Sequence, residues 1–150
     1  MNTLQIKKYL ETNEVTRNIF LNVYAADQLP KERLDRDRWL LVCNCCPANR
    51  RGEHWVAMFY ENGTLEFFDS FGLPIENYAG VEEFIRVQKP NKVISNTIQL
   101  QSSESDVCGY YCIYYGYSRA DEESMEQVLN NLSYMSRDTF VKHIVTFNIL

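Results

Sequence analysis

The chain has few of the features that mark membrane, secreted or low-complexity proteins. Its longest apolar runs, such as residues 55–60, are far shorter than the roughly 18 residues of a membrane helix. Residues 1–14 lack the apolar region of a secretory signal. Only 6 Gly and 4 Pro occur among 150 residues, which excludes collagen-like and low-complexity chains. We therefore expect a soluble intracellular protein with no membrane partner, in the cytoplasm or nucleus of a host.

The chain also lacks an excess of basic residues. It has 15 Lys and Arg against 20 Asp and Glu, a net charge of −5. Nucleic-acid-binding domains cluster Lys and Arg on one face, so no nucleic-acid partner is expected. With 45% hydrophobic residues, 150 residues can bury about 70% of the unfolded surface in one core. We predict a single domain over residues 1–150, and a monomer.

Cysteine is scarce and its count is odd. Five cysteines in a chain expected inside the cell favour reduced thiols over disulfides. Cys43, Cys45 and Cys46 with His54 allow a zinc interpretation, because thiolates and imidazoles bind zinc. Along a strand, Cys43 and Cys45 share one face and Cys46 turns to the other, and the paired C-x2-C motifs of structural zinc sites are lacking, so we predict no metal site. A small zinc domain or a catalytically silent interaction module remains an alternative.

Hydrophobic periodicity predicts an α+β fold with a mixed or antiparallel central sheet packed by helices. Residues 3–11 are predicted as a short helix in which Asn2 and Gln5 form a capping box. The following stretch, up to residue 38, is predicted as loop-rich. The predicted strands are residues 39–45, 54–60, 65–71 and 92–100.

Four further helices are predicted. Val81, Phe84 and Ile85 form one apolar face before Pro90. Residues 108–117 are apolar on all sides, which is typical of a helix inside a core and makes Cys112 a packing residue. Two amphipathic helices follow, one after Asp121 and one capped by Ser136. His143, in the last of them, is predicted to be solvated.

The dipeptide Asn62-Gly63 between two apolar runs predicts a tight hairpin. If these are the two central turn residues, opposed residues have numbers that sum to 125. His54 and Asp69 then become diagonal neighbours on one face, roughly 7–8 Å apart at the backbone. An imidazole and a carboxylate can close that gap with a hydrogen bond, so the register predicts a base and the acid that orients it.

Cys108 is predicted in the first turn of the buried helix, with Asp106 as its N-cap. Backbone N–H groups of a first turn have no intrahelical partner, and the helix dipole is positive there. Both effects stabilise a thiolate and so favour a nucleophile. Gly109 allows close backbone approach to a developing oxyanion, and Gln101 could supply a second hydrogen-bond donor.

Three segments together, GEHWVAMFY, FFDSFG and QLQSSESDVCGYYC, resemble the adenain-like cysteine endopeptidases of adenoviruses and Maverick/Polinton elements. That family is similar in fold to SUMO-specific proteases. The shared features are a His-Trp pair in a strand, an acidic residue ending the next strand, a Gln before the nucleophile, and Cys-Gly opening a helix. The similarity covers roughly residues 20–120.

The resemblance implies a His-Asp-Cys triad. His54 is the implied general base, Asp69 orients it, and Cys108 attacks the scissile carbonyl, while Gln101 and the Cys108 N–H form the oxyanion hole. Triads are recognised by geometry rather than by chain order. The substrate-binding residues expected from the resemblance are Trp55 and Gly109.

The implied activity is peptide-bond hydrolysis on polypeptide substrates with small residues, often Gly, near the scissile bond. The implied role is the processing of viral or transposon-encoded precursors during particle maturation, with the enzyme packaged in the virion. An isopeptidase that removes ubiquitin-like modifiers is the nearest alternative, since both groups share the same catalytic residues.

Adenoviral members also use activators. They bind an activating peptide through a cysteine between the acid and the Gln, but residues 47–107 contain none here. They bind DNA as well, whereas this chain has a pI of about 5.1. We therefore expect no cofactor and no DNA activation, and leave an activating peptide open as a partner.

Overall fold

The computed structural model describes residues 1–45, 54–103, 105–132 and 137–148. Two single 3-10 turns, Ala26–Gln28 and Ile75–Asn77, accompany the regular elements. These elements are, in chain order, α1 (Thr3–Thr12), β1 (Phe20–Ala25), β2 (Arg38–Asn44), β3 (Trp55–Glu61), β4 (Thr64–Phe68), α2 (Ala79–Gln88), β5 (Lys92–Ser95), α3 (Cys108–Ala120), α4 (Met125–Asn131) and α5 (Arg137–Thr146).

The strands form one mixed sheet in the order β1-β2-β3-β4-β5. The central strand β3 is antiparallel to both of its neighbours, β2 and β4. Each edge strand is parallel to its neighbour. The predicted α+β architecture, a mixed central sheet packed by helices, is confirmed.

The edge strand β1 was not predicted, because residues 20–25 were interpreted as part of a loop-rich stretch. The strand pairs in parallel with β2, which lies well over ten residues further along the chain, and its register shifts between Phe20 and Val23. All but the first of its residues are only half-buried. A short, irregular edge strand of this kind has neither the two-residue alternation nor the continuous apolar run that marks a strand in a sequence.

The hairpin of β3 and β4 has the predicted register. Its pairs run from Glu61 opposite Thr64 to Ala57 opposite Phe68, so each sum is 125. Asn62 and Gly63 both have positive φ, at 49° and 86°. Two successive positive φ values match the right-handed twist of the flanking strands, which explains why Asn-Gly occupies this turn.

Side chains of β3 alternate between the two faces of the sheet. Trp55, Ala57 and Phe59 pack in one cluster with α1, α3, α4 and α5. The intervening residues of the strand join a second cluster with α2. Helices thus cover both faces, which accounts for the apolar run of residues 55–60.

Most predicted helices are confirmed. The Asn2–Gln5 capping box opens α1, and α2 ends at Gln88, just before Pro90. In α3, ten of the thirteen residues are buried, as expected for a helix inside the core. The predicted cap Ser136 lies outside the described residues, and His143 is exposed on α5 as predicted.

The last predicted strand is shorter than expected, because β5 ends at Ser95 rather than near Leu100. At that point the ladder gives way to other hydrogen bonds. The side chain of Asn96 bonds the backbone of Asp69, and the backbone N–H of Leu100 donates to Ser70 O. Residues 96–100 therefore form a loop beside the end of β4.

Within the described ranges, none of the helices combines the length and the apolar character that crossing a membrane requires.

Candidate active site

His54 and Asp69 lie at the same edge of the sheet. His54 immediately precedes β3 and Asp69 immediately follows β4. Since these strands are antiparallel neighbours, the start of one meets the end of the other. The ring atom Nε2 of His54 is 2.8 Å from Oδ1 of Asp69, so the predicted hydrogen bond is present.

Asp69 is fully buried, yet both oxygens of its carboxylate accept hydrogen bonds from protein groups. Oδ1 accepts a second hydrogen bond from the N–H of Phe71 at 2.9 Å. Oδ2 accepts from the hydroxyl of Tyr78 at 2.8 Å and from the N–H of Leu73 at 3.3 Å. Burial raises the pKa of Asp69, but the hydrogen bonds and the charge of His54 outweigh it and lower that pKa. Asp69 therefore carries a negative charge next to His54.

The backbone of Asp69 is held by Asn96, a residue that the sequence did not single out. Its Oδ1 accepts from the N–H of Asp69 at 2.9 Å, and its Nδ2 donates to the carbonyl of Asp69 at 2.6 Å. This reciprocal pair fixes the acid at the point where β4 ends. The signal in the sequence was weak, since a polar residue directly after an apolar strand is usually a loop residue.

The imidazole of His54 is half enclosed by aromatic rings. Its ring centroid lies 4.9 Å from that of Phe71 and 6.0 Å from that of Tyr78. Burial lowers the pKa of His54, but the contributions of Asp69 and Cys108 exceed this and raise the pKa to about 9. The imidazole is thus held as a cation over the neutral pH range.

The second ring nitrogen of His54, Nδ1, is not the atom that bonds Asp69. Nδ1 is buried and lacks a partner with full hydrogen-bonding geometry among the described residues. The thiol of Cys108 is nevertheless close enough to contribute to the raised pKa of His54. His54 therefore interacts with two groups of the predicted triad: the carboxylate of Asp69 bonds Nε2, and the thiol of Cys108 helps to raise the pKa of the ring.

Cys108 is the first residue of α3 and is buried, with 3% of its surface exposed. Its place in the first turn is confirmed, but the predicted N-cap is wrong. The cap position is Val107 rather than Asp106, and Val107 makes no side-chain cap hydrogen bond. Cys108 lies at the positive end of the helix dipole.

Gln101 is buried in the loop before α3, with its carboxamide held at both ends. Nε2 donates to the carbonyl of Ser105 at 2.8 Å, and Oε1 accepts from the hydroxyl of Ser70 at 2.6 Å. One N–H of Nε2 is used in the first bond. The second has no acceptor among the described residues, so it is available to a ligand.

Trp55 and Gly109, predicted to bind substrate, are both buried. The indole Nε1 of Trp55 has no hydrogen-bond partner among the described residues. A Cβ on Gly109 would lie 3.1 Å from Cδ1 of Ile6 and 3.3 Å from Sδ of Met1. This close approach of α1 gives a packing reason for glycine, and substrate contact by either residue stays a prediction.

The other described cysteines are Cys43, Cys45 and Cys112. Cys43 and Cys112 are buried in the core, and no disulfide joins any of the four described cysteines. Burial raises the pKa of Cys112. Hydrogen bonding to Cys43 and burial raise that of Cys45. Both are therefore neutral thiols, as expected of packing residues.

Cys46, which was part of the zinc interpretation, lies outside the described residues. Among residues 1–45, 54–103, 105–132 and 137–148, no three His, Cys, Asp or Glu side chains are arranged to hold a metal ion. The zinc interpretation therefore gains no support from the part of the chain that the structure describes.

Comparison with known proteins shows similarity at the level of structure. No protein-family model matches the sequence, and no curated protein matches it either. A structure of the ASFV pS273R protease has a TM-score of 0.64 and 18% identity, covering 97% of this chain and 65% of its own. A selenomethionine structure of the same protease has a TM-score of 0.51 and 24% identity, covering 73% and 43%.

A third similar structure is the SUMO protease Ulp1 with its catalytic cysteine oxidized to a sulfenic acid. Its TM-score is 0.48 at 12% identity, covering 99% of this chain and 78% of that one. The present chain spans less than two thirds of the length of the ASFV protease chains. At these identities the likeness is one of fold. This chain has the α+β cysteine-protease fold of the ASFV pS273R protease, and the predicted α+β cysteine-protease fold is confirmed.

Proposed function

We propose that this chain is a cysteine endopeptidase that uses Cys108, His54, Asp69 and Gln101. The observation that carries the proposal is the pairing of His54 with buried Asp69 at 2.8 Å, beside a cysteine that opens a helix. His54 has a raised pKa to which both neighbours contribute. Perturbed titratable groups gathered at one place are typical of active sites.

The proposed reaction begins with the Cys108 thiolate and the His54 imidazolium. The sulfur attacks the scissile carbonyl carbon, and the electron pair of the C=O bond moves to the oxygen. The Cys108 N–H and the second N–H of Gln101 Nε2 stabilise this oxyanion. When it collapses, the C–N bond breaks, and His54 gives its proton to the leaving amine.

The second half of the proposed reaction releases the acyl group. Neutral His54 removes a proton from water, and the resulting hydroxide adds to the thioester carbon. Collapse of this second oxyanion breaks the C–S bond, which frees a carboxylic acid and restores the thiolate and imidazolium. Asp69 stays ionised throughout and keeps Nε2 of His54 protonated and oriented.

The proposed substrates are polypeptides with small residues near the scissile bond. We propose precursor processing during viral or transposon particle maturation, with packaging in the virion, which the fold of the ASFV protease supports. Thiolate, imidazole, carboxylate and amide supply every group that the mechanism uses, so we propose no cofactor. Dependence on an activating peptide would appear as turnover only after a precursor-derived peptide is added.

The test of the proposal is labelling by an electrophilic peptide, such as a peptidyl vinyl sulfone ending in Gly. Mass spectrometry should place the adduct on Cys108, and His54→Ala should abolish it because the thiolate loses its counter-ion. Cys45→Ser is the matched control and should keep the label. Labelling confined to Cys45 or Cys46 would contradict the proposal.

The same reagent class separates the endopeptidase from the isopeptidase alternative. A ubiquitin or SUMO vinyl sulfone presents a whole folded modifier, whereas a short Gly-containing peptide presents only the residues at the bond. Faster labelling by the short peptide favours the endopeptidase. Labelling by the modifier alone would shift the assignment to an isopeptidase.

A further inference from the structure

Ser70 connects the two halves of the proposed active site. It follows Asp69 directly in the chain and is almost completely buried, with 1% of its surface exposed. Its hydroxyl lies 2.6 Å from Oε1 of Gln101, a residue 31 positions further along the chain. The mechanism above gives this hydroxyl no role.

The backbone of Ser70 also holds the Gln101 segment. Its carbonyl oxygen accepts hydrogen bonds from the N–H of Leu100 at 2.8 Å and of Gln101 at 2.9 Å. These two bonds place the backbone of Gln101, while the hydroxyl contacts the end of its side chain. Replacing Ser70 by alanine would keep the backbone bonds and remove the hydroxyl alone.

Both ends of the Gln101 carboxamide are identified by their partners. The carbonyl of Ser105 can only accept, so the amide atom 2.8 Å from it must be Nε2. The atom beside Ser70 is then Oε1, which only accepts, so the Ser70 hydroxyl must donate. In this orientation one N–H of Nε2 remains for a ligand.

We propose that Ser70 is a positioning residue whose hydroxyl holds the Gln101 carboxamide so that its second N–H meets the oxyanion. The inference rests on the proposed function, in which Gln101 is an oxyanion donor. Two adjacent residues then orient two different groups: Asp69 orients the imidazole of His54, and Ser70 orients the oxyanion donor Gln101.

The consequence is a specific kinetic signature. An oxyanion is absent from the bound substrate and forms only as the carbonyl is attacked, so a poorly held donor lowers kcat and leaves KM nearly unchanged. Alkylation of a thiolate by iodoacetamide is a displacement at a saturated carbon and forms no oxyanion. Loss of the Ser70 hydroxyl should therefore spare alkylation of Cys108.

The test compares Ser70→Ala with Ser118→Ala, a buried serine in α3 outside the site. The substrate is a Gly-Gly aminomethylcoumarin peptide, and iodoacetamide is the alkylating probe. Removing one oxyanion donor costs about 10²–10³ in kcat, so we expect Ser70→Ala to lose about 10-fold or more. KM and the alkylation rate should stay within about twofold of the wild type.

A double variant tests whether Ser70 acts through Gln101. Gln101→Ala should lower kcat more than Ser70→Ala does, and adding Ser70→Ala to it should cause no further loss, because the amide to be positioned is gone. Ser70→Thr restores a hydroxyl at the same atom and should recover part of the lost kcat. Ser70→Cys provides a weaker donor of similar size if threonine disturbs the buried site.

Several results would overturn the inference. Turnover of Ser70→Ala equal to that of Ser118→Ala would do so, as would an equal loss of hydrolysis and alkylation, or losses that multiply in the double variant. A wild-type chain that neither cleaves the peptide nor shows His54-dependent alkylation of Cys108 would overturn the proposed function together with this inference. Wild-type turnover with an unaffected Ser70→Ala would overturn the inference alone.

Discussion

The hydroxyl of Tyr78 donates a 2.8 Å hydrogen bond to Oδ2 of Asp69, on the side of the carboxylate away from His54. The same residue places its ring 6.0 Å from the imidazole, centroid to centroid. Tyr78 therefore contacts both members of the His54–Asp69 pair. It lies nine residues after the acid, in a segment without a strand, and no motif in the sequence marks it.

Replacing Tyr78 by phenylalanine should lower activity without abolishing it, because Asp69 loses one hydrogen bond and keeps its bond to His54. A hydrogen bond to a charged group contributes about 1.5–3 kcal/mol, and three other donors stay on Asp69, so we expect the lower end of that range. This corresponds to roughly a 10-fold loss in kcat/KM for a peptide substrate. Tyr24→Phe on β1 is the matched control. Equal activity of the two variants would remove Tyr78 from the site.

The pKa of His54 predicts the alkaline side of the pH profile. In the proposed mechanism the His54 imidazolium donates a proton to the leaving amine, so activity should fall as pH rises through about 9. Asp69→Asn removes a negative charge and a hydrogen bond that raise this pKa, so the alkaline limb should move to lower pH. An NMR titration of the His54 ring checks this without turnover. Asp27→Asn is the control, and an unmoved limb in Asp69→Asn would contradict the assignment.

The same shifts predict how the free energy of unfolding depends on pH. The pKa of His54 rises from 6.5 to about 9 on folding, so its stabilisation is complete below 6.5 and is lost as pH rises through 9. The pKa of Asp69 falls from 3.8, so its contribution is present above that value and is lost as pH falls below it. Denaturant midpoints of wild type and His54→Gln should therefore converge above pH 9. A constant difference from pH 6 to pH 10 would contradict this.

Replacing Asn96 by alanine should lower the free energy of unfolding, because Asn96 holds the backbone of Asp69 at the end of β4. In Asn96→Ala the buried N–H of Asp69 loses its acceptor, while the carbonyl of Asp69 keeps the N–H of Gly72 at 2.8 Å. One unsatisfied buried donor costs about 1–3 kcal/mol, which a urea denaturation curve would measure. Asn18→Ala, at an exposed position, is the control. A midpoint equal to that of the control would show that water or another group replaces Asn96.

The buried ion pair of Glu66 and Arg119 predicts a larger loss of stability. Their side chains are 7% and 12% exposed, and two hydrogen bonds of 2.9 and 3.0 Å join them. Glu66→Ala leaves the guanidinium without its counter-ion, so we expect a loss of about 3–5 kcal/mol in the free energy of unfolding. Replacing both partners, by Leu and Met, should recover part of this loss.

The control for that experiment is Glu83→Ala, which breaks the exposed pair with Arg86 on α2. A fully exposed pair is screened by water, so the midpoint should not change measurably. Two results would contradict the prediction. One is an unchanged midpoint in Glu66→Ala, and the other is a double variant that is less stable than Glu66→Ala.

Local pattern was enough for much of the fold. The Asn-Gly turn set the register of β3 and β4, because its two positive φ values suit a two-residue hairpin turn. Once the register is set, successive side chains point to opposite faces of the sheet. The capping box of α1 and the apolar face of α2 are equally local. The strand β1 is the counter-example, since its hydrogen bonds come from a segment distant in the chain and nothing in its own residues requires them.

The N-cap of α3 is a second place where local sequence and tertiary structure disagree. Asp106 has the residue type of an N-cap, but the helix begins one residue later and takes Val107 instead. Propensity for a cap is a weak preference of about 1 kcal/mol, and the packing of a mostly buried helix can exceed it. The place of Cys108 in the first turn survived this shift because the apolar run itself begins there.

The chain's own pattern was sufficient to bring His54 and Asp69 together and to put Cys108 at a helix start, because hairpin register and helix onset are short-range properties. The supporting contacts of the site depended on the folded whole. Asn96, Tyr78 and Ser70 contact Asp69 or Gln101 through side chains. These side chains meet only when the ends of β4 and β5, the start of α2 and the loop before α3 converge. Such contacts join residues far apart in the chain, and a polar residue in a loop carries no local mark of the partner it will find.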